Sequence, residues 1–278
     1  MTTRTDLPAM QLIDIGGVEL EVHDTGGHGQ PLVLAHSPVR EEWLPLLAEP
    51  ALADHHRIIH FHRRGYGESS NAGLPLDLRG HAADCHALMR RLGIERAHLA
   101  GLSLGGSILL QFAVDFPEAV ASLALLEPAL PEAVEHPEYQ QLLADTAPLF
   151  EAGDVAKGFD VLMQGLGGAD YATHYDRTLP PGWFDRVLED QDVISQDVEA
   201  LHAWEFTGQD AGMISAPVLN LKASASTPYH QDGFRTLQAW IPHAEPVVVE
   251  DSAHALLTTK PREIAEHLAR FVAAHPIR

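Results

Sequence analysis

Along the chain, short apolar runs of strand length alternate with segments whose apolar residues recur every three or four positions. That rhythm predicts an α/β fold, a mainly parallel sheet with crossover helices. MQLIDI and VELEVHDTG flank Gly16 and Gly17 and predict an opening hairpin. PLVLAHS, RIIHFHR, RAHLAGL, VASLALLEP, PVLNLKA and AEPVVVED predict the strands that follow. Between them the periodicity predicts helices over 77–92, 104–116, 231–240 and 261–273. In the last of these, Ile264, Leu268, Phe271 and Val272 share one face and read as core. From 131 to 213 the alternation stops, and the chain is rich in Asp, Gly, Pro and aromatic residues, among them Tyr171, Tyr175, Trp183 and Phe184. Structureless loops beyond ~15 residues are uncommon in compact domains. The segment is therefore expected to form a mostly helical cap inserted into a core made of 1–130 and 214–278.

One junction of strand and helix carries a chemical signal. In LAGLSLGGSILLQFAVDFP, the residues Gly101-Leu102-Ser103-Leu104-Gly105 fit G-x-S-x-G between an apolar strand and a helical pattern. The spacing suits a tight strand-to-helix turn that holds a serine hydroxyl above the sheet edge, with glycines leaving room for the backbone. The helix that follows points its N-terminus at developing negative charge. A small-residue turn that merely packs a helix onto a sheet is the bland alternative. The strand-turn-helix context favours Ser103 as nucleophile.

Bulk properties narrow the field. A chain of 278 residues is long enough for one large α/β domain with a smaller insertion. Its formal charge of −21 repels phosphate backbones and anionic membranes, so neither nucleic acid nor a membrane is an expected partner. Cys85 is the only cysteine, which excludes an intrachain disulfide and a cysteine-based metal site. The start, MTTRTDLPAMQLIDIGG, lacks the apolar run of a signal peptide, and no segment has the apolar length of a membrane span. A cytoplasmic location is the expectation, with a homo-oligomer left open.

Four landmarks together give a resemblance over nearly the whole chain: LVLAHSPVREEW, HRRGYGESS, GLSLGG and, near the C-terminus, DSAHAL. The sequence resembles the α/β-hydrolase superfamily. That resemblance implies a mainly parallel eight-stranded sheet, a cap inserted after the sixth strand, and hydrolysis of an ester, lactone, amide or related bond. There are 18 histidines, so composition alone selects no base. VVVEDSAHALL places His254 on the loop between the last strand and the last helix, and the resemblance assigns the base to that position.

The acid departs from the common pattern. In most relatives it follows the seventh strand, but LNLKASASTPYH, residues 219–230, holds no carboxylate. Glu127 in SLALLEPALPE stands at the end of the adjacent sixth strand, where burying a glutamate is costly unless it is paired. Some members of the superfamily carry the acid there, including haloalkane dehalogenases and the zearalenone lactonases. Glu127 is the expected triad acid, with Asp251 and Asp232 as outside candidates and an Arg-paired hinge residue as the bland reading of Glu127. A serine nucleophile argues against dehalogenase or epoxide hydrolase chemistry, which relatives run on Asp.

For the oxyanion hole, one donor should be the N–H of Leu104, the residue after the nucleophile. Relatives take the other from a His-Gly-x loop, whereas this chain reads His36-Ser37-Pro38. Pro38 has no N–H, so Ser37 is expected to donate, with Val39 behind it. His60 and His62 stand at i and i+2 on one side of a strand and lack an obviously spaced third metal ligand. Trp183 is expected either to line an apolar substrate pocket or to pack inside the cap. The expected function is a cofactor-independent, metal-free serine hydrolase of a small apolar ester or lactone. A cofactor-free perhydrolase or lyase on the same triad, and a degenerate hydrolase serving as a small-molecule receptor, are the alternatives.

Overall fold

The computed structural model describes residues 9–278; residues 1–8 of the expected core lie outside it. Eight strands form one sheet: β1 (Gln11–Asp14), β2 (Glu19–Asp24), β3 (Gln30–Ala35), β4 (His56–Phe61), β5 (Ala97–Leu102), β6 (Val120–Leu126), β7 (Val218–Ala223) and β8 (Glu245–Val249). They lie in the order β1-β2-β4-β3-β5-β6-β7-β8. The predicted hairpin is present, β1 and β2 pairing antiparallel, and β2 also runs antiparallel to β4. All other neighbours are parallel.

The continuous apolar runs became the central strands. β5 and β6 are buried at every position, as parallel strands covered on both faces must be. Alternation along β3 divides its side chains between two apolar layers: Val33 and Ala35 face one, Leu32 and Leu34 the other. The helices follow in chain order. α1 (Leu78–Arg91) is capped by Asp77, whose side chain accepts from the N–H of Gly80. α2 (Leu104–Asp115) is buried from Leu104 to Ala113, which explains its apolar character all round.

Between β6 and β7 the described residues form helices and loops with no strand. The main helices there are α3 (Pro137–Glu151), α4 (Val155–Gly167), α5 (Tyr171–Thr178), α6 (Trp183–Glu189) and α7 (Gln191–His202). The chain then returns through β7 to α8 (Pro228–Trp240) and ends in α9 (Pro261–Ala274). Sequence periodicity placed the start of α8 three residues late. Thr227 caps it by accepting from the N–H of His230, and Pro228 occupies the first helical turn, where its missing N–H costs nothing. The predicted stripe of α9 is buried: Ile264, Leu268, Phe271 and Val272, with Ala265. Among the described residues no helix is long and apolar enough to cross a membrane. The topology puts the C-terminal ends of β5 and β6 next to each other and the loop after β8 along the same edge, beyond β7, the edge where open α/β sheets bind ligands.

Candidate active site

Ser103 sits between β5 and α2 with φ 52° and ψ −123°. Such a conformation costs a non-glycine residue about 1–3 kcal/mol and persists only where its surroundings fix it. Here its N–H donates to the carbonyl of Leu126 at 3.0 Å, and its own carbonyl accepts from the N–H of Ser107 at 3.1 Å. The flanking glycines are required by close approach. A Cβ on Gly101 would stand 2.6 Å from the Gly105 backbone, and one on Gly105 only 2.1 Å from the Ala35 carbonyl oxygen. Among the described residues, only Ser103, Glu127 and Asp251 are non-glycines with positive φ, and they follow β5, β6 and β8.

Glu127 leaves the sheet directly after β6, its N–H donating to the Leu221 carbonyl at 3.0 Å. Both carboxylate oxygens are used. Oε1 accepts from the N–H of Ala223 at 2.9 Å, and Oε2 lies 2.7 Å from Nδ1 of His254. The empty seventh strand thus contributes a backbone donor to the acid instead of an acid of its own. Glu127 is 3% exposed. Burial works to raise its carboxyl, but the imidazoles of His230 and His254 outweigh that and lower it to about 2. It is a carboxylate at any ordinary pH.

The two outside candidates are elsewhere. Asp232 pairs with Arg235 and His136, and Asp251 is exposed in the turn after β8. Sequence reasoning missed His230, whose ring stacks on that of His254 at 4.0 Å and 22°. Its Nδ1 lies 2.9 Å from the Thr227 hydroxyl, and burial together with His254 lowers its pKa to about 3, leaving it neutral. The usable signal was Thr-Pro at 227–228, which starts a helix and turns position 230 inward.

The oxyanion loop differs from expectation. The N–H of Ser37 is not free: it donates to Oε1 of Glu42, and the Ser37 hydroxyl donates to Oε2, both at 2.6 Å. Glu42, also missed, is 1% exposed. Its neighbour Glu41 pairs with Arg186, so the Glu-Glu sequence hid one buried acid beside one ordinary ion pair.

Ser37, Glu42, Ser103, Leu104 and His254 line one cavity of about 90 Å³, completed by side chains of the helical insertion such as Phe159, Met163 and Tyr175. Trp183 is not in its wall. The indole packs against Tyr171, Tyr175 and Phe184, with Nε1 donating to Asp176 at 2.9 Å. The substrate-lining assignment is corrected accordingly: a buried ring whose N–H already has a partner serves as insertion core, and Tyr175 lines the cavity instead.

Ion pairs hold the insertion over this cavity. Arg63, following β4, makes a bidentate pair with Asp197 of α7 at 3.0 and 2.6 Å, and both side chains are 2% exposed. The Tyr66 hydroxyl and His81 complete the shell around Asp197. Arg40 also pairs with Asp190, one guanidinium nitrogen, Nη1, reaching both carboxylate oxygens. Asp197→Ala leaves the Arg63 guanidinium buried and alone. Removing one partner of a buried pair costs about 3–5 kcal/mol, so urea unfolding should show a midpoint far below that of the wild type.

Among the described residues one group has three potential metal ligands close together, Glu127, His230 and His254. Stacked imidazoles direct their lone pairs along nearly parallel planes rather than at one point, which does not suit tetrahedral coordination. His60 and His62 do not belong to such a group; His62 Nδ1 is bound to Glu21 at 2.7 Å.

Residues 28–261 match the family model described as alpha/beta hydrolase fold. The dihydrolipoyllysine-residue acetyltransferase component of the acetoin cleaving system of Pseudomonas putida is 39% identical over 139 residues, 49% of this chain and 38% of that one. Carboxylesterase YbfK of Bacillus subtilis (strain 168) is 27% identical over 186 residues, 65% of this chain and 59% of that one. The chain thus spans less than two thirds of the length of these curated relatives. Among solved structures, the enol-lactonase from Burkholderia xenovorans LB400 is similar with a TM-score of 0.75 at 24% identity, covering 95% of this chain and 100% of that one.

Proposed function

The chain belongs to the alpha/beta hydrolase fold family, and from that premise we propose that it is a serine hydrolase cleaving a carboxylic ester or lactone through an acyl-enzyme. The observation that carries the reading is the Glu127–His254 contact at 2.7 Å, opening on the cavity that Ser103 also lines. With Glu127 ionised, the His254 proton stays on Nδ1, and Nε2 keeps a lone pair for the Ser103 hydroxyl. Ser103 Oγ then attacks the carbonyl carbon while Nε2 takes its proton. The imidazolium returns that proton to the leaving alkoxide, and the acyl group remains on Ser103. Water, deprotonated by the same Nε2, releases the free acid. Leu104 N–H, at the start of α2, and the Ser37 hydroxyl are the proposed oxyanion hole. A lactone leaves its alkoxide tethered to the acyl group, so the product is one hydroxy acid.

The helical insertion acts as a cap in this reading, supplying apolar walls that favour an uncharged substrate. A chain of net charge −21 adds to that preference by repelling anionic ones. The similarity to a carboxylesterase and to the enol-lactonase fold supports the same choice of bond. Labelling with a fluorophosphonate probe, followed by peptide mapping and an assay on uncharged aryl esters and lactones, tests it. Modification at Ser103 and release of free acid are expected. A folded protein that takes no label would instead be a receptor, and a peracid or an eliminated product would make it a perhydrolase or lyase.

A further inference from the structure

An acyl-transfer site needs donors free to meet the carbonyl oxygen, yet both Ser37 donors are engaged. They go to the two oxygens of a single carboxyl, Glu42, at 2.6 Å each. That carboxyl is buried and lines the same cavity as Ser103, Leu104 and His254. No ion pair among the described residues involves it. Arg63, whose charge reaches it, is bound at both ends of its fork by Asp197. A buried acid placed beside a reaction centre and bonded to the donors the reaction needs is badly placed for packing alone.

Resting on the acyl-transfer reading, we propose that Glu42 is a positioning residue that switches the oxyanion loop: neutral, it frees the Ser37 hydroxyl to donate to the substrate oxygen; ionised, it takes both Ser37 donors and shuts the hole. In the neutral acid Oε1 still accepts from the Ser37 N–H and holds the loop in place. The acid proton on Oε2 donates to Ser37 Oγ, reversing the present bond, and the hydroxyl proton turns into the cavity. In the carboxylate both bonds run toward Glu42, and a negative charge faces the cavity where the oxyanion must develop.

The surroundings suit a switch near neutral pH. Burial pushes the Glu42 carboxyl up to about 8, against the Ser37 bonds and the charge of Arg63. Tyr175 of α5 faces it as a phenol, raised by burial and by the Glu42 charge. His254 faces it across the cavity, and Arg63 is neutralised by its partner on α7.

The test is kcat/KM for an uncharged aryl acetate between pH 7 and 9.5, for wild type, Glu42→Gln, Ser37→Ala and Ser103→Ala. With the carboxyl at about 8, the wild type loses roughly thirty-fold over that range. Glu42→Gln copies the neutral acid, accepting from the N–H and donating to Oγ, so its profile stays flat. Ser37→Ala lowers kcat about 10²-fold at pH 7 with KM little changed, and it decides the matter alone if Glu42→Gln does not fold. A wild-type alkaline fall surviving in Glu42→Gln, a folded Glu42→Gln inactive at both ends, or an unchanged kcat in Ser37→Ala each overturns the switch. Turnover persisting in Ser103→Ala overturns the acyl-transfer reading and the switch together; its loss, with an unaltered Glu42→Gln profile, overturns the switch only.

Discussion

Ser103→Ala is expected to lower kcat on an activated aryl ester by about 10⁶-fold, the scale reached when a serine nucleophile is removed from a cooperating triad. The size follows from cooperation. Without the hydroxyl, the Glu127–His254 pair has no proton to collect, and the remaining donors polarise a carbonyl that nothing attacks. Alanine can occupy the same turn at the same strain, and the lost hydroxyl faces a cavity. Folding stability should therefore stay within about 0.5 kcal/mol of the wild type. Pre-steady-state kinetics sharpen the measurement: the wild type releases a stoichiometric burst of phenolate where deacylation is slow, and Ser103→Ala releases none. A loss smaller than about tenfold would place the nucleophile elsewhere.

Ser103 was legible because one local rule serves two levels. The glycines at 101 and 105 satisfy a steric demand of backbone on backbone, and that demand is written in adjacent letters. The strands were legible for a similar reason, since parallel strands covered on both faces need unbroken apolar runs. Glu127 could be singled out by its cost, a charge at the end of a buried strand, although its partner Ala223 N–H lies 96 residues away. Glu42 and His230 were not legible. Each is one acid or one imidazole among many: Glu42 bonds Ser37 only five residues away, but its place beside Ser103 and His254, like the stacking of His230 on His254, comes from elements that only the fold brings together. Trp183 shows the opposite error: an aromatic residue in an insertion suggests a ligand, but Asp176 and three neighbouring rings had already claimed it. Properties set by adjacent residues are readable in the sequence, whereas properties set by juxtaposition depend on the fold.

Glu127→Gln carries the second large effect, a loss of about 10⁴-fold in kcat, as when the acid of a serine triad becomes an amide. The amide oxygen can keep the bond from Ala223 N–H, which leaves its NH₂ facing Nδ1 of His254. Nδ1 must then carry the lone pair, so the proton moves to Nε2, and the base loses the site that receives the serine proton. Glu127→Asp keeps the charge but is one methylene too short to hold both partners, and a partial loss is expected. Stability should move with pH in a defined direction. The folded carboxyl is lowered to about 2 from an ordinary 4.5, so the folded state binds fewer protons than the unfolded one between those values. Its contribution, about 3 kcal/mol, is fully present above pH 4.5 and is lost as the pH falls toward 2. Thermal unfolding of wild type and Glu127→Gln should differ most at neutral pH and converge in acid. A gap that instead widened on acidification would mean that Glu127 is protonated in the folded protein, and the kcat loss would need another cause.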